Sequence, residues 1–232
     1  SPEQFASLAV DGAGTLFVAW GTGVRDVFVT RSADGGATFG LPVLVASPAG
    51  ISGLGCAGLG IQIAAQPERC VTPAPLVTFA GDRIVVTYSG GVRQQDVFAD
   101  SLDLALAQRL SHARVNRPDG THRVDQFLPT ASYDPSTGRL WTCFYDTRGD
   151  RPRVRARFSC ASSADRGTTW APSFPVASVA SDEVHRPADA GFGFGDYEGV
   201  VAAGGVVHPI WTDGRLVRTR GEEIFTTAFP GG

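Results

Sequence analysis

Lysine and methionine are absent from this 232-residue chain, asparagine occurs once, and no apolar run is long. Each absence excludes something. The 20 basic residues are all arginine and face 23 acidic ones, for a net charge of −3, so no basic field exists to hold nucleic acid by counterion release. No stretch reaches the ~18 uninterrupted apolar residues of a membrane span, and no charged, then apolar, then small-residue leader is present. The single asparagine, Asn116, is followed by Arg117 and Pro118 and is no glycosylation acceptor. Cysteine is also scarce: Cys56 with Cys70 and Cys143 with Cys160 form two sequence-local pairs. Neither pair has CxxC spacing, and His112, His122, His185 and His208 complete no zinc pattern, so no metal and no cofactor is expected. An even, locally paired set suggests two disulfides and export, although other connectivities, or buried thiols in a cytosolic chain, fit the same spacing.

Helical periodicity is nearly lacking. What is there instead are short runs rich in Val, Ile, Thr, Phe and Trp between Gly, Asp and Pro turns, the pattern of an all-β chain. The runs recur as blocks: an apolar strand, a tight turn, a second strand ending in an aromatic, then an arginine. The first strands are Phe5 to Val10, Leu76 to Phe79, Leu128 to Tyr133 and Gly199 to Ala203, and the second strands end at Trp20, Tyr88, Tyr145 and Trp211. The closing arginines are Arg25, Arg93, Arg148 and Arg215. A third strand is expected at Val27 to Thr30, Val97 to Asp100, Val154 to Ser159 and Ile224 to Phe229.

Two third strands run into matching eight-residue units. Ser32, Asp34, Gly36, Thr38 and Phe39 in the first correspond to Ser163, Asp165, Gly167, Thr169 and Trp170 in the second, and Ser101 with Asp103 is a worn version. Such residues are turn chemistry: Asp accepts local amide hydrogen bonds, Gly takes φ > 0, and Thr and the aromatic pin the turn. On these units the chain resembles the bacterial neuraminidase repeat, or Asp-box, family of β-propellers, best known from sialidases. The phrases Cys143-Phe144-Tyr145-Asp146-Thr147-Arg148, Gly195-Asp196-Tyr197-Glu198-Gly199 and Trp211-Thr212-Asp213-Gly214-Arg215 add to the likeness. The resemblance implies four-stranded antiparallel blades around a channel, here at about 4–47, 74–115, 127–179 and 197–230 of one domain spanning 1–232. Sialidases usually have more blades than four, so the chain reads as part of a longer, six-bladed propeller or as a four-bladed assembly. The first is preferred, because an unclosed ring leaves edges exposed.

Antiparallel topology places the eight-residue units at one end of the blades and the closing arginines at the other. That second end also receives the connections from about 48 to 73, 116 to 127 and 180 to 197, long enough to be binding loops. The last carries Asp182, Glu183, His185, Arg186, Asp189, Asp196, Tyr197 and Glu198. Planar guanidinium forks of Arg25, Arg93, Arg148, Arg215 and Arg186 would suit a carboxylate, so a glycan or small acidic sugar is the expected partner. The resemblance implies that an active sialidase would need a Tyr nucleophile assisted by Glu, an Asp acid/base and three Arg; Tyr nucleophiles are the exception among glycosidases. Tyr197 with Glu198 could supply the first pair and Asp146 or Asp213 the acid. Adjacent strand residues face opposite ways, however, and the Arg-Ile-Pro motif of sialidases is missing.

Simpler readings stand beside these. Asp146 with Arg148 and Asp213 with Arg215 also fit loop ion pairs, and Trp20, Tyr88, Phe144 and Trp211 fit inter-blade core better than sugar platforms. Arg151, Arg153, Arg155 and Arg157 alternate as if along one strand face. Two functions are therefore expected: a secreted or cell-envelope bacterial propeller binding or hydrolysing terminal sugars, or a non-catalytic scaffold that binds another protein.

Overall fold

The structure, a computed structural model, describes residues 3–22, 26–48, 61–91, 94–116, 123–185, 193–195, 198–216 and 222–232. Strands β1 (Glu3–Val10), β2 (Leu16–Thr22), β3 (Asp26–Ser32) and β4 (Val43–Ala46) form the first antiparallel sheet in chain order. A hairpin of β5 (Ile61–Ile63) and β6 (Gln66–Val71) follows. The second sheet is β7 (Leu76–Phe79), β8 (Arg83–Gly90), β9 (Asp96–Asp103) and β10 (Arg109–Arg114). The third is β11 (Gln126–Asp134), β12 (Arg139–Asp146), β13 (Arg157–Ser163) and β14 (Phe174–Pro175). The fourth has β15 (Gly199–Ala203) and β16 (Val206–Asp213), with β17 (Glu223–Thr226) and β18 (Phe229–Pro230) both paired along β16 in one register. No α-helix occurs among the described residues, and none there is long and apolar enough to cross a membrane.

The sheets stand as blades around their first strands: β1 packs on β7, β7 on β11 and β11 on β15. No comparable packing joins β15 to β1 among the described residues. Three apolar interfaces fill the spaces between neighbours. Phe17, Ala19, Val27 and Val29 meet Ile84, Val86 and Tyr88; Val85, Val97 and Ala99 meet Leu140, Phe144 and Ala161; Trp141, Tyr145 and Phe158 meet Val200, Val207 and Trp211. Each large apolar side chain among them contributes about 1.5–3 kcal/mol by burial. Hence β8 and β12, with blades on both sides, are buried almost throughout, whereas β2, and β16 as far as Trp211, bury every second residue.

Local chemistry explains the turns. Ser32 Oγ donates to Asp34 Oδ1 at 2.7 Å and accepts the Gly36 amide at 2.9 Å, while Asp34 accepts the Thr38 amide and hydroxyl at 2.9 and 2.6 Å. Ser163, Asp165, Gly167 and Thr169 repeat the pattern at 2.8, 2.8, 2.8 and 2.6 Å. Asp103 keeps part of it, accepting the Ala107 amide at 2.7 Å. Trp170 packs against the interface of the second and third blades, but Phe39 is exposed.

Three expectations are corrected. The third strand of the third blade starts at Arg157, because Asp150 accepts the amides of Val154 and Arg155 and folds that segment into a turn. Its arginines therefore share no strand face: Arg153 pairs with Asp125 at 3.1 Å and Arg155 with Asp150 at 3.1 Å. Trp20 is half-exposed and stacks on Phe28 at 5.8 Å, whereas Tyr88, Phe144 and Trp211 are buried as core. The connection after β4 holds the β5–β6 hairpin, whose Ile63, Ala65 and Val71 pack into the core of the third and fourth blades.

Candidate functional site

The chain distorts at matching places in three blades, within β1 and β11 and just before β7. Phe5, Ala74 and Leu128 have φ of 56°, 41° and 52°, a left-handed conformation costly for residues with a side chain. Register breaks accompany two of them, between Gln4 and Ser7 and between Phe127 and Thr130, as expected of β-bulges beside a site. All three residues line one cavity of about 660 Å³, together with Ser7 and Pro129, and its charged walls are Arg69 of β6 and Glu198. The cavity opens at the end that bears the inter-blade connections, where the sequence places the closing arginines.

Glu198 lies half-buried immediately before β15. Its charge reaches Tyr145, whose phenol is pushed well above its ordinary pKa, first by burial and then by Glu198 and Asp213. The Tyr145 hydroxyl donates to the Thr212 carbonyl at 2.8 Å and accepts the Thr212 amide at 3.1 Å. A phenol so held is a brace between blades; a nucleophile needs the opposite shift.

Asp146 and Asp213 close β12 and β16 with one shared device. Asp146 Oδ1 accepts the Arg148 amide at 2.8 Å, and its Oδ2 lies 3.5 Å from the Arg148 guanidinium. Asp213 Oδ1 accepts the Arg215 amide at 2.8 Å, and its Oδ2 meets Arg215 Nη2 at 2.5 Å and Trp211 Nε1 at 3.2 Å. Arg215 also lies 4.2 Å over the Phe225 ring and bonds Ser178. Both carboxylates are buried, and neither Arg148 nor Arg215 lines the cavity. Asp146 further accepts from Gln126 at 2.9 Å, which accepts from Asn116, which donates to Asp96, a buried chain joining the second and third blades. Tyr197, Arg25, Arg93, Arg186 and Cys56 lie outside the described residues. Cys143 and Cys160, facing each other across β12 and β13, form a disulfide.

A carboxyl pair near Asp213 has no counterpart in the sequence reading. Ser181 Oγ donates to Glu183 Oε1 at 2.5 Å and accepts the Gly214 amide at 2.7 Å. Burial, then a hydrogen bond with the neighbouring Glu222 carboxyl, pushes Glu183 up to about 8. Glu183 and Glu222 are far apart in the chain and carry no motif. Arg69 and the β5–β6 hairpin carried no signal either. Among the described residues no group of His, Cys, Asp and Glu could hold a metal ion.

Solved structures with the same architecture are distant in sequence. A Hadza microbial sialidase aligns with a TM-score of 0.59 at 13% identity, over 97% of this chain and 44% of its own. A protein of unknown function from Dyadobacter fermentans gives 0.55 at 14%, over 98% and 64%. The fold is a β-propeller. A Penicillium chrysogenum α-L-arabinanase complexed with arabinobiose gives 0.50 at 11%, over 97% of this propeller and 62% of its own chain. The propeller thus spans less than two thirds of each of these three chains. No protein-family model and no curated protein sequence matches it.

Proposed function

We propose that this propeller binds terminal sugars of glycans in the cavity between its first strands and hydrolyses a glycosidic bond there. One observation carries the reading: two bulged first strands, three residues held at positive φ and the β5–β6 hairpin converge on one cavity whose charged walls are Arg69 and Glu198. Its volume, about 660 Å³, suits a small ligand. Arg69 supplies a fork for an acidic sugar's carboxylate and Glu198 the carboxylate facing the reacting centre. Asp146 and Asp213 hold Arg148 and Arg215 outside the cavity and so brace the ends of β12 and β16, and Tyr197 is the proposed nucleophile. The Cys143–Cys160 disulfide supports export to an oxidising compartment. The test is turnover of fluorogenic sialosides and neutral glycosides. Wild type should turn over at least one, Glu198→Gln should lose about a hundredfold in kcat, and Arg69→Gln should raise KM for acidic substrates selectively. No turnover on any substrate overturns the catalytic part.

A second reading, a scaffold for another protein, is favoured by the outward faces of the end blades. Leu8 is 67% exposed on the first, and Val201 and Ile224 are 60% and 62% exposed on the fourth. Apolar faces of this kind mark interaction surfaces. A strictly monomeric protein whose Leu8→Ser and Ile224→Ser forms are no more soluble would remove this reading.

A further inference from the structure

A second pocket, of about 410 Å³, opens between the first and second blades, away from the central cavity. One wall is Ala46, Ser47 and Pro48, where the chain leaves β4; the other is the face of β8, β9 and β10 that carries Tyr88, Phe98, Arg109 and His112. Behind this wall sits Asp100, with no solvent exposure. Three side chains from two neighbouring strands converge on its carboxylate. Tyr88 donates its hydroxyl at 2.6 Å, Arg109 lies at 3.0 Å through Nε, and His112 Nδ1 at 3.1 Å. Tyr88, Phe98 and His112 form a stacked row, with ring centroids 5.9 and 5.5 Å apart.

The carboxylate fixes what faces the pocket. Nδ1 of His112 is engaged with Asp100, so Nε2 is the ring nitrogen left for a ligand. The Arg109 fork is oriented likewise, with Nε on Asp100 and Nη2 on the Val45 carbonyl, leaving Nη1. Both side chains are about half exposed, at 48% and 50%. A buried carboxylate used only as a stabiliser is a poor one, because its desolvation cancels most of the attraction. What it delivers here is two cationic or hydrogen-bonding groups held in fixed geometry beside an aromatic row.

We propose that this inter-blade pocket is a ligand site for a small ring bearing a carboxylate, such as a uronic acid. Arg109 and His112 bind the carboxylate, the ring lies along Phe98 and Pro48, and Asp100 and Tyr88 are positioning residues. A guanidinium with a carboxylate-backed imidazole matches a planar anion, while apolar and aromatic walls match a ring face. The site does not depend on the chemistry in the central cavity.

The experiment is NMR titration of the intact chain with glucuronate, with glucose and acetate as matched probes that lack the carboxylate and the ring, respectively. Glucuronate should move the His112 ring resonances saturably, glucose should not, and acetate should bind more weakly. Arg109→Gln, read from the His112 ring, and His112→Gln, read from the backbone amides of the pocket, should each weaken glucuronate by about tenfold or more, the effect of one charge-assisted hydrogen bond. Glu198→Gln should leave this binding unchanged, which separates failure here from failure at the central cavity. Unmoved His112 resonances in wild type overturn the proposal whatever the variants do, and an equal response to glucose overturns the carboxylate assignment.

Discussion

Tyr145 and Thr212 are joined twice: the phenol gives its proton to the Thr212 carbonyl at 2.8 Å and takes the Thr212 amide at 3.1 Å. One side chain of the third blade therefore satisfies both backbone groups of a residue in the fourth. Tyr145→Phe keeps the ring and leaves a buried amide and carbonyl unpaired, at a cost of about 2–4 kcal/mol. The expected readout is a melting temperature lowered by about 2–4 °C per kcal/mol. Thermal unfolding indistinguishable from wild type would mean that water or backbone shifts replace both bonds.

Glu183 makes stability depend on pH in a definite direction. Its carboxyl, near 4.5 when unfolded, is held at about 8 in the native state by burial and the Glu222 contact. The neutral form is thus the one the fold favours. Its contribution is fully present below pH 4.5 and is lost as pH rises through 8, at no more than about 1.4 kcal/mol for each pH unit and less where solvent screens the pair. Melting curves should fall from pH 5 to pH 8, and Glu183→Gln, an uncharged near-isostere, should flatten that slope. A wild-type slope that persists in the variant would assign the effect to other groups.

Gly167 turns with φ of 91°, and a Cβ there would come within 3.0 Å of Ser101 Oγ and 3.2 Å of Val85 Cγ1. The turn of the third blade is thereby seated on the second, where Ser101 also donates to the Arg166 carbonyl at 2.8 Å. Gly149 has a similar φ of 88° but open space around it. Gly149→Ala should cost only the backbone strain, about 1–2 kcal/mol. Gly167→Ala adds a steric clash at a blade interface and should cost about 1–3 kcal/mol more. Denaturant midpoints for the two variants measure the difference directly, and equal midpoints would show that the interface yields.

The sequence by itself determined what depends on near neighbours. Ser32 to Thr38 and Ser163 to Thr169 fold alike because every bond in them spans four residues or fewer, and strand alternation with recurrent turns spelled out the all-β blades. Asp146 with Arg148 and Asp213 with Arg215 were legible as pairs for the same reason. Tertiary structure decided which of these local units face one another and what they enclose. Arg69 and Glu198 share one cavity, and Glu183 reaches Glu222, only because blades stack side by side and a hairpin folds inward. Asp100 meets His112 because β9 and β10 pair in the one register that sets those two residues opposite each other. A shift of one position would send either side chain to the other face of the sheet. Register and bulges are settled by packing between blades, a balance of burial and strain over the whole fold.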